Sequence, residues 1–315
     1  MKVAALATLL LLGLTCSRNP PMKYAIVYGI SDYPYVGIDL PYSANDAQSV
    51  SLLLESYGYS VILRKDSAAT IAHLEADIDR VANVINGNDL FVFYFSGHGV
   101  GQSAMLEIAD TAVNNGYFAI LMHHKATSED IGEYVRNNGL IKSKLNDLMK
   151  RIPTGVKCAI VDACYSGLLI NGSNVVDYTP DDYNGANVSK PDFETILKDA
   201  AHNYKEEMME KIGKGNEFLT ITSSGGSEIS WDGFFSHSVF TYFWLMAAEQ
   251  GDIDRDGTIT ALETYVYTRA AFEKYWNSAD KDADWNYLPQ ISGGSEDIVL
   301  FEHASIINDN ILAPK

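Results

Sequence analysis

Apolar positions along this chain recur in two alternating periods. Lys23 to Ile30 (KYAIVYGI) is a continuous, β-rich apolar run that predicts a buried strand. Ser43 to Tyr57 follows with Ala47, Val50, Leu54 and Tyr57 on one helical face, and Gly58 stands where a helix stops. Tyr59 to Arg64 is a second strand. Ile71, Leu74, Ile78, Val81 and Ile85 then mark one face of a long helix ended by Asn86-Gly87-Asn88. Leu90 to Phe95 (LFVFYF) is a third strand, Ser143 is placed to cap a helix through Lys150, and Val156 to Val161 is a fourth strand. Phe218 to Thr222 reads as a fifth strand, Ser238 to Glu249 and Ala261 to Tyr275 as helices, and Ile298 to Phe301 as the strand that closes the sheet.

Strands that are apolar throughout, alternating with amphipathic helices, imply an α/β fold: a mostly parallel central sheet with helices on both faces. Ligands of such sheets bind beyond the carboxyl ends of the strands. Residues 171–216 break the alternation, being rich in Asn, Asp, Gly and Lys. They read as a mobile insertion with a helix near 192–212. Residues 304–315 form a tail, and no internal repeat is evident.

The composition narrows the function classes. With 41 acidic against 23 basic residues, a formal charge of -18 argues against a nucleic-acid binder, which would need clustered Lys and Arg. It suits cationic substrates or bound calcium instead. At the start of the chain, Lys2 and the apolar run Val3 to Leu14 are too short to span a bilayer but match an export signal over residues 1–16, with 17–22 as a linker. Gly13-Leu14-Thr15-Cys16 resembles a loose lipobox with Cys16 as the lipid-carrying residue. Thr15 is a departure, and simple secretion is the alternative. Any membrane contact would then run only through that lipid. Cys158 and Cys164 remain, too few for a disulfide framework.

Three separate loops, each directly after a strand, hold the chemistry: Ser43-Ala44-Asn45-Asp46, Ser96-Gly97-His98-Gly99 and Asp162-Ala163-Cys164-Tyr165-Ser166-Gly167. A parallel sheet brings all three to one edge. A thiol with an ordinary pKa of about 8.5 is a poor nucleophile, so an attacking cysteine needs an imidazole nearby. His98 is placed to supply it, as general acid and base for Cys164. The tetrahedral intermediate needs free backbone donors, for which the N–H groups of Gly99 and Cys164 are the candidates, and the loop glycines would let substrate come close. Singly, such a cysteine and histidine are more often plain core and loop residues.

The motifs YFSGHG at 94–99 and VDACYSG at 161–167 resemble the histidine and cysteine motifs of caspase-like peptidases, bacterial metacaspase relatives in particular. SANDA at 43–47, LNDLMKRIP at 145–153 and FTYFWL at 240–245 extend the resemblance, which covers Lys23 to Glu302 within a domain drawn as 23–303. It implies a caspase-like three-layer sandwich and a cysteine endopeptidase working through a Cys-His dyad and an acyl-enzyme. Tyr165 stands where metacaspases commonly show His, and Ser43 where many show Cys. By the same resemblance Asp46 and Asp162, with Ser96 beside them, form the acidic floor of a pocket for Arg or Lys before the scissile bond. Carboxylates held close in a dry site repel, and so favour an arriving cation. The plainer account makes Asp46 a helix cap and Asp162 a loop-orienting residue. The resemblance further implies self-processing in the insertion, where Lys198, Lys205, Lys211 and Lys214 offer basic sites, and the Trp231 loop matches one that lines substrate.

Asp252-Ile253-Asp254-Arg255-Asp256-Gly257-Thr258-Ile259-Thr260-Ala261-Leu262-Glu263 satisfies the pattern of an EF-hand calcium loop. Alternate carboxylates of Asp252, Asp254 and Asp256 converge on one ion and Gly257 permits the turn. Thr258 offers its carbonyl, Thr260 acts directly or through water, and Glu263 closes the shell. A single loop suits a structural ion better than a sensitive switch. His123-His124 reads as a surface pair and Cys158 as core. The rival from another class is a catalytically idle calcium-binding lipoprotein that uses the fold for adhesion or assembly.

Overall fold

Period-two alternation inside the apolar strands decides which helix covers which face of the sheet. The computed structural model describes residues 20–33, 39–101, 119–123, 134, 138–170, 196, 218–277, 286–295 and 298–302. The leader with Cys16, nearly all of 171–216 with its four lysines, and the tail lie outside them. In β1 (Lys23–Gly29), Ala25 and Val27 face α1 (Ser43–Ser56), whereas Ile26 and Tyr28 face α2 (Ile71–Ala82). The same division runs through β3 (Leu90–Ser96), where Val92 and Tyr94 go to one side and Phe91, Phe93 and Phe95 to the other.

The strands β2 (Tyr59–Lys65), β7 (Val156–Asp162), β8 (Leu219–Thr222) and β12 (Gln290–Ser292) complete a six-stranded sheet in the order β12-β8-β7-β3-β1-β2. All its pairings are parallel except that of β12 with β8. One face packs on α1, α4 (Val239–Gln250) and α5 (Ala261–Ala271), and the other on α2 and α3 (Lys142–Arg151). This is the three-layer α/β sandwich expected from the sequence. A smaller antiparallel sheet of β4 (Gly99–Val100), β5 (Ala119–Leu121) and β6 (Gly139–Ile141) extends the histidine loop. No helix of the described residues is long and apolar enough to cross a membrane.

Three expectations are corrected: Ser143 does not cap α3, whose N-cap is Ile141 without a side-chain hydrogen bond. Ile298 to Phe301 does not close the main sheet: β13 (Val299–Glu302) pairs antiparallel with β11 (Thr258–Thr260), inside the calcium-loop motif. Phe301 is held there by edge contacts with Tyr57 at 4.8 Å and Trp244 at 5.7 Å, so its apolar residues serve the helical layer. The edge is taken by β12, whose Gln-Ile-Ser carries no apolar run. His123 is not a surface residue either: it is 8% exposed, and its N–H donates to the Ala69 carbonyl at 2.9 Å.

A buried ion pair ties α2 to the sheet. Arg64 Nε and Nη2 donate to Asp77 Oδ2 and Oδ1, both at 2.8 Å, and the Tyr28 hydroxyl donates to Oδ2 at 2.8 Å. Burial alone would raise the Asp77 pKa, but the hydrogen bonds from Arg64 and Tyr28 outweigh it and hold the carboxyl below its ordinary value. A lowered folded-state pKa contributes stability above the ordinary aspartate pKa of about 3.9 and loses it as pH falls through the folded value. Asp77→Ala is therefore expected to cost about 3 kcal/mol at pH 7, read from urea midpoints, by leaving Arg64 and Tyr28 without their partner. The gap between variant and wild type should narrow below pH 4, and a constant gap would refute the assignment.

Candidate active site

Strand register sets the histidine and cysteine loops side by side. Ser96 pairs with Asp162 across β3 and β7, and the Gly97 N–H donates to the Asp162 carbonyl at 3.1 Å. His98 and Cys164 therefore follow adjacent strands, each two residues beyond a paired position. Further along, Gly101 backs onto Tyr165, where a Cβ would stand 3.0 Å from the ring. Tyr33, which nothing in the sequence singled out, braces this junction. Its hydroxyl accepts from the His98 N–H at 2.9 Å and donates to the Leu121 carbonyl at 3.2 Å, its ring lies 4.6 Å from the imidazole, and burial raises its pKa well above the ordinary value, so it stays a neutral phenol. Gly99 opens β4 opposite Ile120.

The loop glycines have a structural reason different from the one expected. A Cβ on Gly97 would stand 2.4 Å from the Tyr33 hydroxyl, and one on Gly167 would stand 2.6 Å from the backbone of Gly225 and Gly226. Close packing of neighbouring segments by itself excludes a side chain at both positions. Buried hydroxyls fasten the cysteine loop to the segment after β8. The Ala163 N–H donates to Ser223 Oγ at 3.1 Å, the Ser166 N–H to Ser224 Oγ at 3.3 Å, and the Tyr165 N–H to the Glu228 carbonyl at 2.8 Å. Tyr165 is left-handed, with φ 58, which re-aims the chain directly after Cys164.

Cys164 is half-buried, and its thiol donates to the Ser230 carbonyl at 3.6 Å. Burial pushes its pKa up to about 11, with the carboxylates of Asp162 and Asp232 adding to the rise and contacts with Ser230 and its own N–H opposing it. The resting sulfur is a thiol at neutral pH, so attack requires a base to take its proton.

The three predicted floor residues come together, and the structure adds more. Asp46 does not cap its helix: the N-cap of α1 is Tyr42, without a side-chain cap. Instead the wholly buried Asp46 carboxylate accepts from Ser96 Oγ at 3.1 Å, His237 Nδ1 at 2.8 Å and the Ser238 N–H at 3.3 Å. Asp162 accepts from Ser230 Oγ at 2.8 Å, Thr241 Oγ1 at 2.7 Å and Ser238 Oγ. Ser238 is also the N-cap of α4, so both carboxylates lie at the positive end of that helix. Asp232, on β9 (Asp232–Phe234), joins them through charge and accepts from the Tyr42 N–H at 3.2 Å. Burial, and then the charge of Asp46, push Asp162 up to about 6 and Asp232 up to about 7.

Asp232, Ser230, His237, Ser238 and Thr241 were missed as site residues. The one available sequence clue was that Ser230 and Asp232 flank Trp231. The hairpin that carries most of them, β9 with β10 (His237–Ser238), is too short and polar for periodicity to reveal.

The Caspase domain family model matches residues 22–290. The chain belongs to the caspase-domain family. Among solved structures, protein GSU0716 from Geobacter sulfurreducens aligns at TM-score 0.54 and 17% identity, over 90% of this chain and 98% of that one, which establishes a shared fold. No curated protein matches the chain significantly. Membership makes this caspase-domain chain a relative of cysteine peptidases, and VDACYSG and YFSGHG both lie within the matched span.

Away from this edge, the caspase-domain chain gathers Asp252, Asp254 and Asp256, whose nearest carboxylate oxygens lie within 4.8 Å of one another. Gly257 at φ 88 and Arg255 at φ 63 make the turn. This set of hard oxygen donors fits calcium. Glu263, buried and within electrostatic reach of Asp254, accepts from the Ile253 N–H at 3.0 Å and the Thr260 N–H at 2.8 Å. The Thr260 hydroxyl caps α5 in a reciprocal box with Glu263, and Thr258 donates through N–H and hydroxyl to Asp256, both at 2.7 Å, which lowers the Asp256 pKa.

A carboxylate whose folded pKa is raised destabilises the fold once it ionises. For Asp232 that cost develops from about pH 4, the ordinary value, and is complete above about 7. Asp232→Asn is therefore expected to be more stable than wild type at pH 8, on the order of 2 kcal/mol in urea melts, and equal to it below pH 4. Lower stability of the variant at pH 8 would show that Asp232 is not held against repulsion.

Proposed function

We propose that this chain is a cysteine endopeptidase that hydrolyses peptide bonds after Arg or Lys. The observation that carries the reading is the cluster of Asp46, Asp162 and Asp232 beside the cysteine loop. Among the described residues no Lys or Arg pairs with any of the three. Three carboxylates that oppose one another's ionisation are a standing demand for a cation, and an arginine or lysine side chain meets it.

In this mechanism the cationic side chain lies among the carboxylates and its carbonyl faces Cys164. The thiol proton passes to His98 as the sulfur bonds to the carbonyl carbon, and the N–H groups of Gly99 and Cys164 receive the oxyanion. Collapse breaks the C–N bond, with the proton moving from His98 to the leaving amine. Water, deprotonated by His98, then hydrolyses the thioester. Calcium at Asp252, Asp254 and Asp256, with the Thr258 carbonyl, Thr260 and Glu263 completing the shell, would neutralise mutual repulsion in that loop. Because β11 belongs to the loop and pairs with β13, the ion would stabilise the C-terminal layer. Export by the leader, with Cys16 lipidated, and self-processing between 171 and 216 complete the proposal.

Fluorogenic peptides ending in Arg, Lys or Asp test the reading. Wild type should cut the Arg and Lys peptides, Cys164→Ala should cut none, and Asp162→Asn should lose about a hundred-fold in kcat/KM on the Arg peptide. Cleavage of the Asp peptide alone would overturn the specificity. For the metal, thermal unfolding should rise by a few degrees in calcium over chelator, and Asp254→Ala should abolish that difference. An identical midpoint with and without calcium would remove the site.

A further inference from the structure

Asp46 has to carry its charge in order to attract a cation, yet it is wholly buried and shares its surroundings with two other carboxylates. Its donors decide whether it can. Ser96 Oγ and the Ser238 N–H are neutral dipoles at 3.1 and 3.3 Å. His237 Nδ1, at 2.8 Å from Oδ1, is the closest donor, and among the described residues its imidazole is the only cationic-capable side chain paired with the cluster.

The hairpin is built to hold the imidazole there. Between β9 and β10, Phe235 at φ 49 and Ser236 at φ 66 are both left-handed, the conformation of a tight two-residue turn that Asn-Gly ordinarily fills. A phenylalanine in that region is unfavourable by about 1 kcal/mol or more. The turn is secured because Asn45 Nδ2 donates to the Ser236 carbonyl at 2.8 Å and the Phe235 ring stacks on Tyr242 at 5.1 Å. Asn45 precedes Asp46 on α1, so the same contact fixes the hairpin tip to the helix that presents the carboxylate. The turn brings both Asp232 and His237 back over the cluster.

We infer that His237 is a positioning residue for specificity: its hydrogen bond keeps Asp46 ionised before substrate arrives, so that the site meets an incoming Arg or Lys side chain already charged. The inference rests on the basic-specificity reading above. Burial raises the Asp46 pKa above its ordinary value, and the hydrogen bond and charge of His237 are the largest influences opposing that rise, so loss of the imidazole raises it further and weakens cation binding at neutral pH. At higher pH Asp46 ionises regardless, and the weakness disappears. The titratable groups facing this pair are Asp162 on β7, Asp232 on β9 and Tyr94 on β3. They are present in every variant, so the ratio of variant to wild type isolates the contribution of His237.

The test uses the full chain, an Arg fluorogenic peptide, and His237→Leu with His237→Ala as a second apolar variant. Alkylation of Cys164 by iodoacetamide checks that the site is intact. KM is expected to rise about ten-fold at pH 7 and no more than about two-fold at pH 9, as loss of one hydrogen bond to a charged group implies. His237→Gln, which retains an N–H donor, should restore most of the loss at pH 7. An unchanged KM at both pH values, or the same rise at both, overturns the role of His237. Should wild type cut the Arg peptide no better than an Asp peptide, the specificity reading itself fails and the inference with it.

Discussion

Parallel pairing of β3 with β7, in the register that sets Ser96 opposite Asp162, is the constraint on which the rest of the site depends. Because the two strands are central and run the same way, the segments leaving them emerge at one edge. The histidine and cysteine loops become neighbours without any long-range loop having to find the other. A slip of one residue would turn every side chain of a strand to the opposite face, so the buried faces on both sides lock this register firmly. Phe91, Phe93 and Phe95 can fill only one helical layer while Val92 and Tyr94 fill the other.

The same edge carries an electrostatic cost. Asp46, Asp162 and Asp232 are held where burial and mutual repulsion disfavour charge, and the fold offsets this with donors from several elements. These are the hydroxyls of Ser96, Ser230, Ser238 and Thr241, the Ser238 N–H at the N-cap of α4, and the His237 imidazole. An arrangement that raises carboxylate pKa values beside Cys164 is not what stability alone would select, since each carboxylate could be relieved by neutralisation. The contrast with Asp77 is instructive. There an arginine is supplied internally, the carboxyl is held low, and the pair serves the joint between helix and sheet.

Packing accounts for features that chemistry alone would have misread. The glycines of the two motifs look like openings for substrate, yet Gly97 and Gly167 are small because Tyr33 and the Gly225-Gly226 backbone press against them. They hold the loops at their mutual distance. Pairing of β11 with β13 likewise gives a lone calcium-type loop a partner strand from the end of the domain. The acidic trio is thereby coupled to the layer that packs on Trp244 and Tyr57.

The order of strands and helices, the parallel sheet and the two motif loops were legible in the chain, because apolar runs and helical spacing are local properties that burial enforces. His98 and Cys164 could be named because each follows a strong apolar strand that announces where it will emerge, and Asp46, Asp162 and Ser96 because their motifs resemble those of caspase-like peptidases. Tyr33, Ser230, Asp232, His237 and the edge strand Gln290–Ser292 could not, since they lie in short polar segments without a period of their own. Their roles arise only when distant segments meet, as when a two-residue turn folds His237 onto Asp46 across 191 positions of sequence. Local patterning determined which elements exist. Only the tertiary contacts decided which polar groups face one another, because hydrogen bonding and charge act through space and leave no periodic trace in the sequence.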